Sequence, residues 1–164
     1  MDSTANMLAL PIEIERGDST AATWTLPIEP LRFDPTFAYD PVRNQYDSTR
    51  LLERLSRGSV ALTEVDLYIP ILAFVFGEAE LGGRRAIVST HRLRQEFYGL
   101  PPDPKLLEER TIKEAAHEWG HALGLRHCRR YDCVMHASQS VDQIDVKSER
   151  FCPECSRRLT MRRP

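Results

Sequence analysis

The sequence contains no run of about eighteen apolar residues, so we expect no transmembrane helix. Its first residues lack both a basic region and a long apolar core, and a secretion signal is therefore not expected. The formal net charge is only −2, a balance that favours neither nucleic-acid nor membrane binding. We therefore expect a cytoplasmic protein that acts as a monomer and binds neither nucleic acid nor membranes.

Cysteine is also absent from the first three quarters of the chain. A secreted disulfide scaffold usually distributes its cysteines widely, whereas clustered cysteines in a reducing compartment more often bind metal. Two close pairs of thiolates are the ligand set of a closed, tetrahedral structural zinc site. Two disulfides, or four free thiols in a core, are the alternatives. The four residues are Cys128, Cys133, Cys152 and Cys155.

The length of 164 residues and the hydrophobic content of 41% predict one domain with a real core. Within residues 1–164 we expect a sheet-containing part at 1–104, and a helix and metal-binding region at 105–164. Strand patterns occur at 8–14, 66–76 and 84–90, an extended segment at 21–39 and an irregular loop at 77–83. Helical patterns occur at 47–55, from Lys105 to Gly124, and at 142–150. This alternation predicts a compact α/β (α+β) fold with a small mixed, twisted sheet.

The predicted helix from Lys105 contains a pattern typical of catalytic zinc sites. His117 and His121 are four residues apart and therefore project from one helical face, where both can bind one zinc. Gly124 can end the helix and reverse the chain, so that His127 supplies the third ligand. Glu118 is adjacent to the first ligand and is the predicted general base for a water at the open zinc position.

This pattern resembles the signature of the metzincin clan of zinc peptidases, in which a methionine turn follows the third histidine. Met135 is in the right place for that turn, whereas Ala137 replaces the tyrosine that acts as a fifth ligand in some metzincins. Together with the four cysteines and with residues 39–46 and 66–77, the motif is similar to the archaemetzincin family. The resemblance implies a metzincin-type fold and two zinc ions per chain, one catalytic and one structural.

The predicted activity is therefore hydrolysis of peptide bonds in a peptide or protein substrate. The resemblance also implies an edge strand over the cleft, in residues 77–89, that pairs with an extended substrate; an ordinary connecting hairpin is the alternative. The sequence leaves two other functions as alternatives. One is a zinc-binding protein without catalysis, in which the histidine motif is a relic or regulatory site. The other is a nucleic-acid-binding zinc ribbon, suggested weakly by the arginine-rich residues 157–163.

For three further side chains the sequence predicts no catalytic role. Trp119 lies within the motif but faces away from both histidine ligands, so it is predicted to be a core residue. His91 and His136 are read as ordinary polar residues, with His136 a candidate neighbour of the zinc site.

Overall fold

The structure is a computed structural model that describes residues 12–14 and 24–161. Within these residues it contains nine strands and four α-helices. The strands are β1 Ile12–Ile14, β2 Trp24–Leu26, β3 Ile28–Pro30, β4 Tyr39–Asp40, β5 Gln45–Asp47, β6 Ser59–Thr63, β7 Leu67–Tyr68, β8 Gly77–Glu80 and β9 Arg85–Ser89. The helices are α1 Ser48–Leu52, α2 Pro104–Ala122, α3 Val141–Val146 and α4 Pro153–Met161.

The main sheet is mixed and has four strands in the order β3, β6, β9, β8. The first three strands are parallel, and β8 pairs antiparallel with β9 at the edge. Strands β4, β5 and β7 form a smaller sheet, and β1 pairs with β2. Mixed small sheets with helices confirm the predicted fold class.

Side chains alternate across the main sheet and divide the core in two. Val60 and Val88 belong to the larger cluster, which also contains buried residues of α2 and of the segments after it. Ala61 and Ile87 point to the opposite face and pack in a second cluster with Leu51 of α1. Because neighbouring residues of a strand face opposite sides, β6 and β9 each contribute to both clusters.

Helix α2 spans the core and is fixed at both ends. The Asp103 carboxylate accepts a hydrogen bond of 3.0 Å from the Leu106 backbone N–H, and Pro104 occupies the first helical turn, where its missing N–H costs nothing. At the other end Gly124 has a φ of 101°, the left-handed conformation that favours glycine. This confirms the predicted helix and the turn after it.

Two predictions for the segment before β9 are wrong. Residues 66–76 do not form one strand; only Leu67–Tyr68 does, and a loop follows. Pro70 has no N–H for a ladder bond, and Ile71 is 86% exposed, so the apolar run is not a buried strand. Residues 77–83 are not an irregular loop, since Gly77–Glu80 forms β8 by pairing with β9.

The remaining predictions are confirmed with shifted bounds. Strand β9 lies within 84–90, and α1 begins after its Asp47 cap but ends at Leu52. Of the segment predicted at 21–39, residues 24–39 are described and contain short strands and a 3-10 turn, while residues 21–23 lie outside the described part. Of the strand predicted at 8–14, the structure describes Ile12–Ile14, and residues 8–11 lie outside the described part as well. Helix α3 is shorter than 142–150, and α4 was not predicted. Among the described residues, no helix is both long and apolar enough to cross a bilayer.

Candidate active site and metal centres

The Nε2 atoms of His117 and His121, both on α2, face each other. His117 Nδ1 lies 2.7 Å from the Val134 carbonyl oxygen, and His121 Nδ1 lies 2.7 Å from the Leu125 carbonyl oxygen. These carbonyls accept hydrogen bonds, so each Nδ1 carries the ring proton and each Nε2 keeps a lone pair. The two Nε2 atoms are 3.1 Å apart. Two lone pairs at this distance repel each other unless a cation lies between them.

The turn at Gly124 brings the third histidine to the same place. Gly124 and Leu125 donate backbone hydrogen bonds to the His121 and Gly120 carbonyls, at 2.8 and 2.9 Å, and these bonds end the helix. His127 then approaches from outside the helix, and one ligand atom of each of the three histidines lies within 4.8 Å of the others. Zinc–nitrogen bonds are about 2.0–2.1 Å long, so this set fits a single zinc ion.

The environment favours the neutral form of these imidazoles, which is the form that binds metal. Burial lowers the pKa of His117 well below its ordinary value, and the positive charge of Lys147 lowers it further. Burial is also the main cause that lowers the pKa values of His121 and His127.

Glu118 lies on the wall of a cleft of about 510 Å³ that also contains His117 and His127. Its side chain is buried, and burial raises the pKa of its carboxyl well above the usual value, with the charges of Glu114 and Glu78 as further causes. An elevated pKa makes a carboxylate a better proton acceptor near neutral pH.

The edge strand β8 passes very close to Glu118. A Cβ atom at Gly77 would lie 2.8 Å from Glu118 Cγ and 2.6 Å from the Ile87 carbonyl oxygen. Only glycine allows this approach, so the start of β8 forms part of the cleft wall beside the carboxylate.

A buried ion pair lies behind the cleft. Glu114 is one helical turn before Glu118, lines the cleft, and is paired with Lys147 at an Nζ–Oε1 distance of 3.2 Å. Neither side chain is more than 5% exposed. Burial raises the pKa of Glu114, while the Lys147 charge opposes that rise. Lys147 also donates to the His136 carbonyl at 3.2 Å, which joins the ion pair to the turn after the third histidine.

Met135 lies beneath the histidines and is fully buried. A Cβ atom at Gly120 would lie 2.3 Å from Met135 Sδ and 3.0 Å from Phe151 Cε1. The glycine between the two helical histidines therefore lets the methionine contact the helix backbone. The chain that carries Met135 is joined to the third ligand, because the Cys128 N–H donates to the Met135 carbonyl at 2.9 Å.

The four cysteines form a second cluster, with all four sulfur atoms within 4.8 Å of one another. All four are free thiols, so the structure does not contain the two disulfides that were the alternative. A tetrahedral zinc with bonds of about 2.3 Å needs sulfur atoms about 3.8 Å apart. Cys128 and Cys152 are at 3.8 Å. The N–H groups of Met135 and Cys152 donate to Cys133 Sγ at 3.4 and 3.3 Å, as suits a thiolate.

Without a metal, Cys133 and Cys155 would be protonated thiols in the core. Burial raises the pKa of Cys133 to about 11 and also raises that of Cys155. A metal ion supplies the charge that lets such thiols ionise, so this set fits a zinc ion as well.

The structure also places Trp119, two further histidines and the arginine-rich tail. Trp119 is half-buried against the main core cluster, as predicted. His136 Nδ1 is 2.9 Å from the Cys128 carbonyl oxygen, and His91 Nδ1 is 3.2 Å from that of Glu64. In the arginine-rich tail, both Arg157 and Arg158 are paired with Glu154, and residues 162–163 lie outside the described part.

Sequence reasoning missed Glu114, Lys147, Gly120 and Gly77. The spacing of Glu114, four residues before Glu118, is a signal that could have placed it on the same helical face. No local pattern marks Lys147, because it meets Glu114 only through the tertiary fold.

The chain is similar to known proteins along most of its length. Residues 38–161 match peptidase family M54. An archaemetzincin of Methanocaldococcus jannaschii is 48% identical over 128 residues, which cover 76% of this chain and 72% of the relative. The crystal structure of archaemetzincin from Methanopyrus kandleri is similar with a TM-score of 0.71 and 42% identity, covering 79% of this chain and 72% of that one. A zinc-dependent peptidase from Methanocorpusculum labreanum is similar with a TM-score of 0.71 and 34% identity, covering 82% and 81%.

Proposed function

The chain belongs to peptidase family M54, the archaemetzincins, and is a zinc metallopeptidase; on that premise we propose that Glu118 is the general base of its reaction. The observation that carries this proposal is the position of Glu118, a buried carboxylate on the same cleft wall as the histidine cluster. In this proposal the residues that would hold the catalytic zinc are His117, His121 and His127.

When bound, the zinc supplies a Lewis acid that polarises the peptide carbonyl and lowers the pKa of water. Glu118 accepts the proton of the attacking water and later donates it to the amine of the leaving product. Its raised pKa suits both steps, because the group must hold a proton briefly and release it again. Glu114 does not compete for this role, since Lys147 is paired with it.

The substrate is proposed to lie extended along β8. This strand is at the edge of the main sheet as described, and its first residue, Gly77, lines the cleft next to Glu118. An added strand would form backbone hydrogen bonds that do not depend on the substrate sequence. The Ser48 and Thr49 hydroxyls donate to the Glu78 carboxylate and hold the strand at the residue after Gly77.

A second zinc is proposed at Cys128, Cys133, Cys152 and Cys155. Four thiolates leave no open position, so this ion would be structural. It would attach the loop that carries His127 and Met135 to helix α4.

The test compares Glu118→Gln with Glu109→Gln, an exposed glutamate of the same helix. Peptide hydrolysis should fall about a hundred- to ten-thousand-fold in Glu118→Gln, because the amide cannot accept the proton. Both variants should keep two zinc ions by metal analysis, whereas His121→Ala should keep one. Unchanged hydrolysis by Glu118→Gln would refute the base, and undiminished metal in His121→Ala would refute the ligand set.

A further inference from the structure

One wall of the catalytic cleft is a loop. Residues 69–76 follow β7 and precede β8, and we call them the wall loop. Its residues 72–76 line the cleft. In the described part of the chain a single bridge, between Leu67 and Val75, joins the wall loop to a strand. The main-chain carbonyls of the loop therefore need partners other than a strand ladder.

Arg43, in the turn between β4 and β5, binds two of these carbonyls. Its Nη1 atom donates to the Leu72 carbonyl at 2.9 Å, and its Nη2 atom donates to the Pro70 carbonyl at 3.2 Å. The guanidinium carbon also lies 4.2 Å from the ring centre of Tyr68, the last residue of β7. Because the guanidinium is planar and rigid, these contacts fix the start of the wall loop relative to the turn.

The turn that carries Arg43 is itself ordered. One oxygen of the Asp40 carboxylate accepts the backbone N–H groups of Val42 and Arg43, at 2.9 and 3.3 Å. The second oxygen accepts the Tyr68 hydroxyl at 3.2 Å, so the strand before the wall loop is bonded to the same turn. An arginine on an ordered turn loses little further freedom when it binds the loop.

Gln45 in β5 fixes a third carbonyl of the wall loop. Its Nε2 atom donates to the Ala73 carbonyl at 2.8 Å and to the Asp66 carboxylate at 3.1 Å. Gln45 is buried, so these bonds are shielded from water. Neither Arg43 nor Gln45 lines the cleft. Both can therefore act on a substrate only through the backbone of the wall loop.

We propose that Arg43 and Gln45 are positioning residues that hold the wall loop in the shape that receives an extended peptide. The inference rests on the proposed function, because a peptide lying along β8 would pass the loop that immediately precedes this strand. Glu118 and the histidine ligands belong to α2 and the segment after it, whereas the Arg43 side chain donates to the wall loop. A loosened loop should weaken peptide binding, since the peptide must then order it, and should leave the chemical step nearly unchanged.

The first test is the steady-state kinetics of Arg43→Met with a fluorogenic peptide that extends several residues on both sides of its cleavage site. KM should rise about five- to thirtyfold, as the loss of two hydrogen bonds predicts, while kcat stays within about threefold. Arg43→Lys keeps a donor but not the planar fork, so its KM should be intermediate.

Arg54→Met is the matched control for these kinetics. The Arg54 guanidinium also lies over a ring, 3.7 Å from the centre of Phe37, but this ring packs against the second core cluster and not in the wall loop. Both KM and kcat of Arg54→Met should stay within about twofold of wild type. A KM in Arg54→Met that rises as far as in Arg43→Met would overturn the proposal.

Amide hydrogen exchange of the zinc-loaded protein is a second readout, which needs no activity. In Arg43→Met and in Gln45→Leu, exchange should accelerate about fivefold or more in the wall loop and stay at the wild-type rate in α2. An unchanged KM or an unchanged exchange of the wall loop overturns the proposal, as does faster exchange throughout the chain. Unimpaired hydrolysis by Glu118→Gln would instead count against the general base, so the two failures are distinguishable.

Discussion

Replacing Lys147 alone should destabilise the protein far more than removing both charges of its ion pair. The Lys147 side chain is 0% exposed and that of Glu114 is 5% exposed, with 3.2 Å between Nζ and Oε1. At an effective dielectric constant of about 20, the attraction at this distance is about 5 kcal/mol. That attraction offsets desolvation costs of several kcal/mol per ion.

Lys147→Met leaves the Glu114 carboxylate buried without its counter-charge. The expected loss in the free energy of unfolding is about 3–5 kcal/mol at pH 7 to 8. The double variant Glu114→Gln/Lys147→Met leaves no buried charge, so it should lose less than about 2 kcal/mol. A strong positive coupling between the two sites is therefore expected.

The same variant should show a distinctive pH dependence. Burial already raises the pKa of Glu114, and in the variant the charge of Lys147 no longer opposes that rise. The folded state then binds a proton more tightly than the unfolded state, so stability falls as the pH rises above the unfolded value. The deficit of Lys147→Met relative to wild type should accordingly shrink as the pH is lowered from 8 towards 5.

Urea denaturation of zinc-loaded protein, followed by circular dichroism, measures these differences. Lys105→Met, an exposed lysine of the same helix, is the control and should change stability by no more than about 0.5 kcal/mol. The reasoning is refuted if the double variant loses the sum of the two single losses, or if Lys147→Met behaves like the control.

Two other predictions concern the metal centres. Gly120→Ala would gain about 1 kcal/mol of helix propensity, but the added Cβ would lie 2.3 Å from Met135 Sδ. We therefore expect a net loss of about 1 kcal/mol in the free energy of unfolding. A variant that urea denaturation shows to be more stable than wild type would contradict this. Cys155→Ser should lower the zinc content from two ions to one, with a lower unfolding temperature, and zinc analysis that still finds two ions per chain would contradict it.

The sequence predicts those parts of the site whose positions depend only on residues close by in the chain. Within residues 117–127, helical spacing places two histidines and a glycine turn places the third, so no distant information is needed. The cysteines could be assigned to one cluster because their chemistry requires partners. By contrast, the partnership of Glu114 with Lys147 depends on how the segment after α3 returns to α2, which no local pattern encodes.

The two wrong predictions, for residues 66–76 and 77–83, lie at the cleft itself. Residues 66–76 are apolar, so the pattern indicated a buried strand, yet Leu72 and Phe74 line the cleft where a substrate would contact them. Strand β8 has the unpromising sequence Gly-Glu-Ala-Glu, because its position comes from pairing with β9 and from the close approach of Gly77 to Glu118. Residue hydrophobicity and strand propensity therefore both predict the secondary structure poorly at a binding surface.

The link between the histidine and cysteine clusters also has a consequence for biosynthesis. His127 is followed directly by Cys128, whose sulfur lies against that of Cys152, 24 residues further along the chain. During translation, α2 and its two histidines leave the ribosome well before Cys152 and Cys155 do. The loop that carries the third histidine therefore lacks its anchor until α4 has been made. The position of the third histidine is therefore tied to α4, the last element of the described part of the chain.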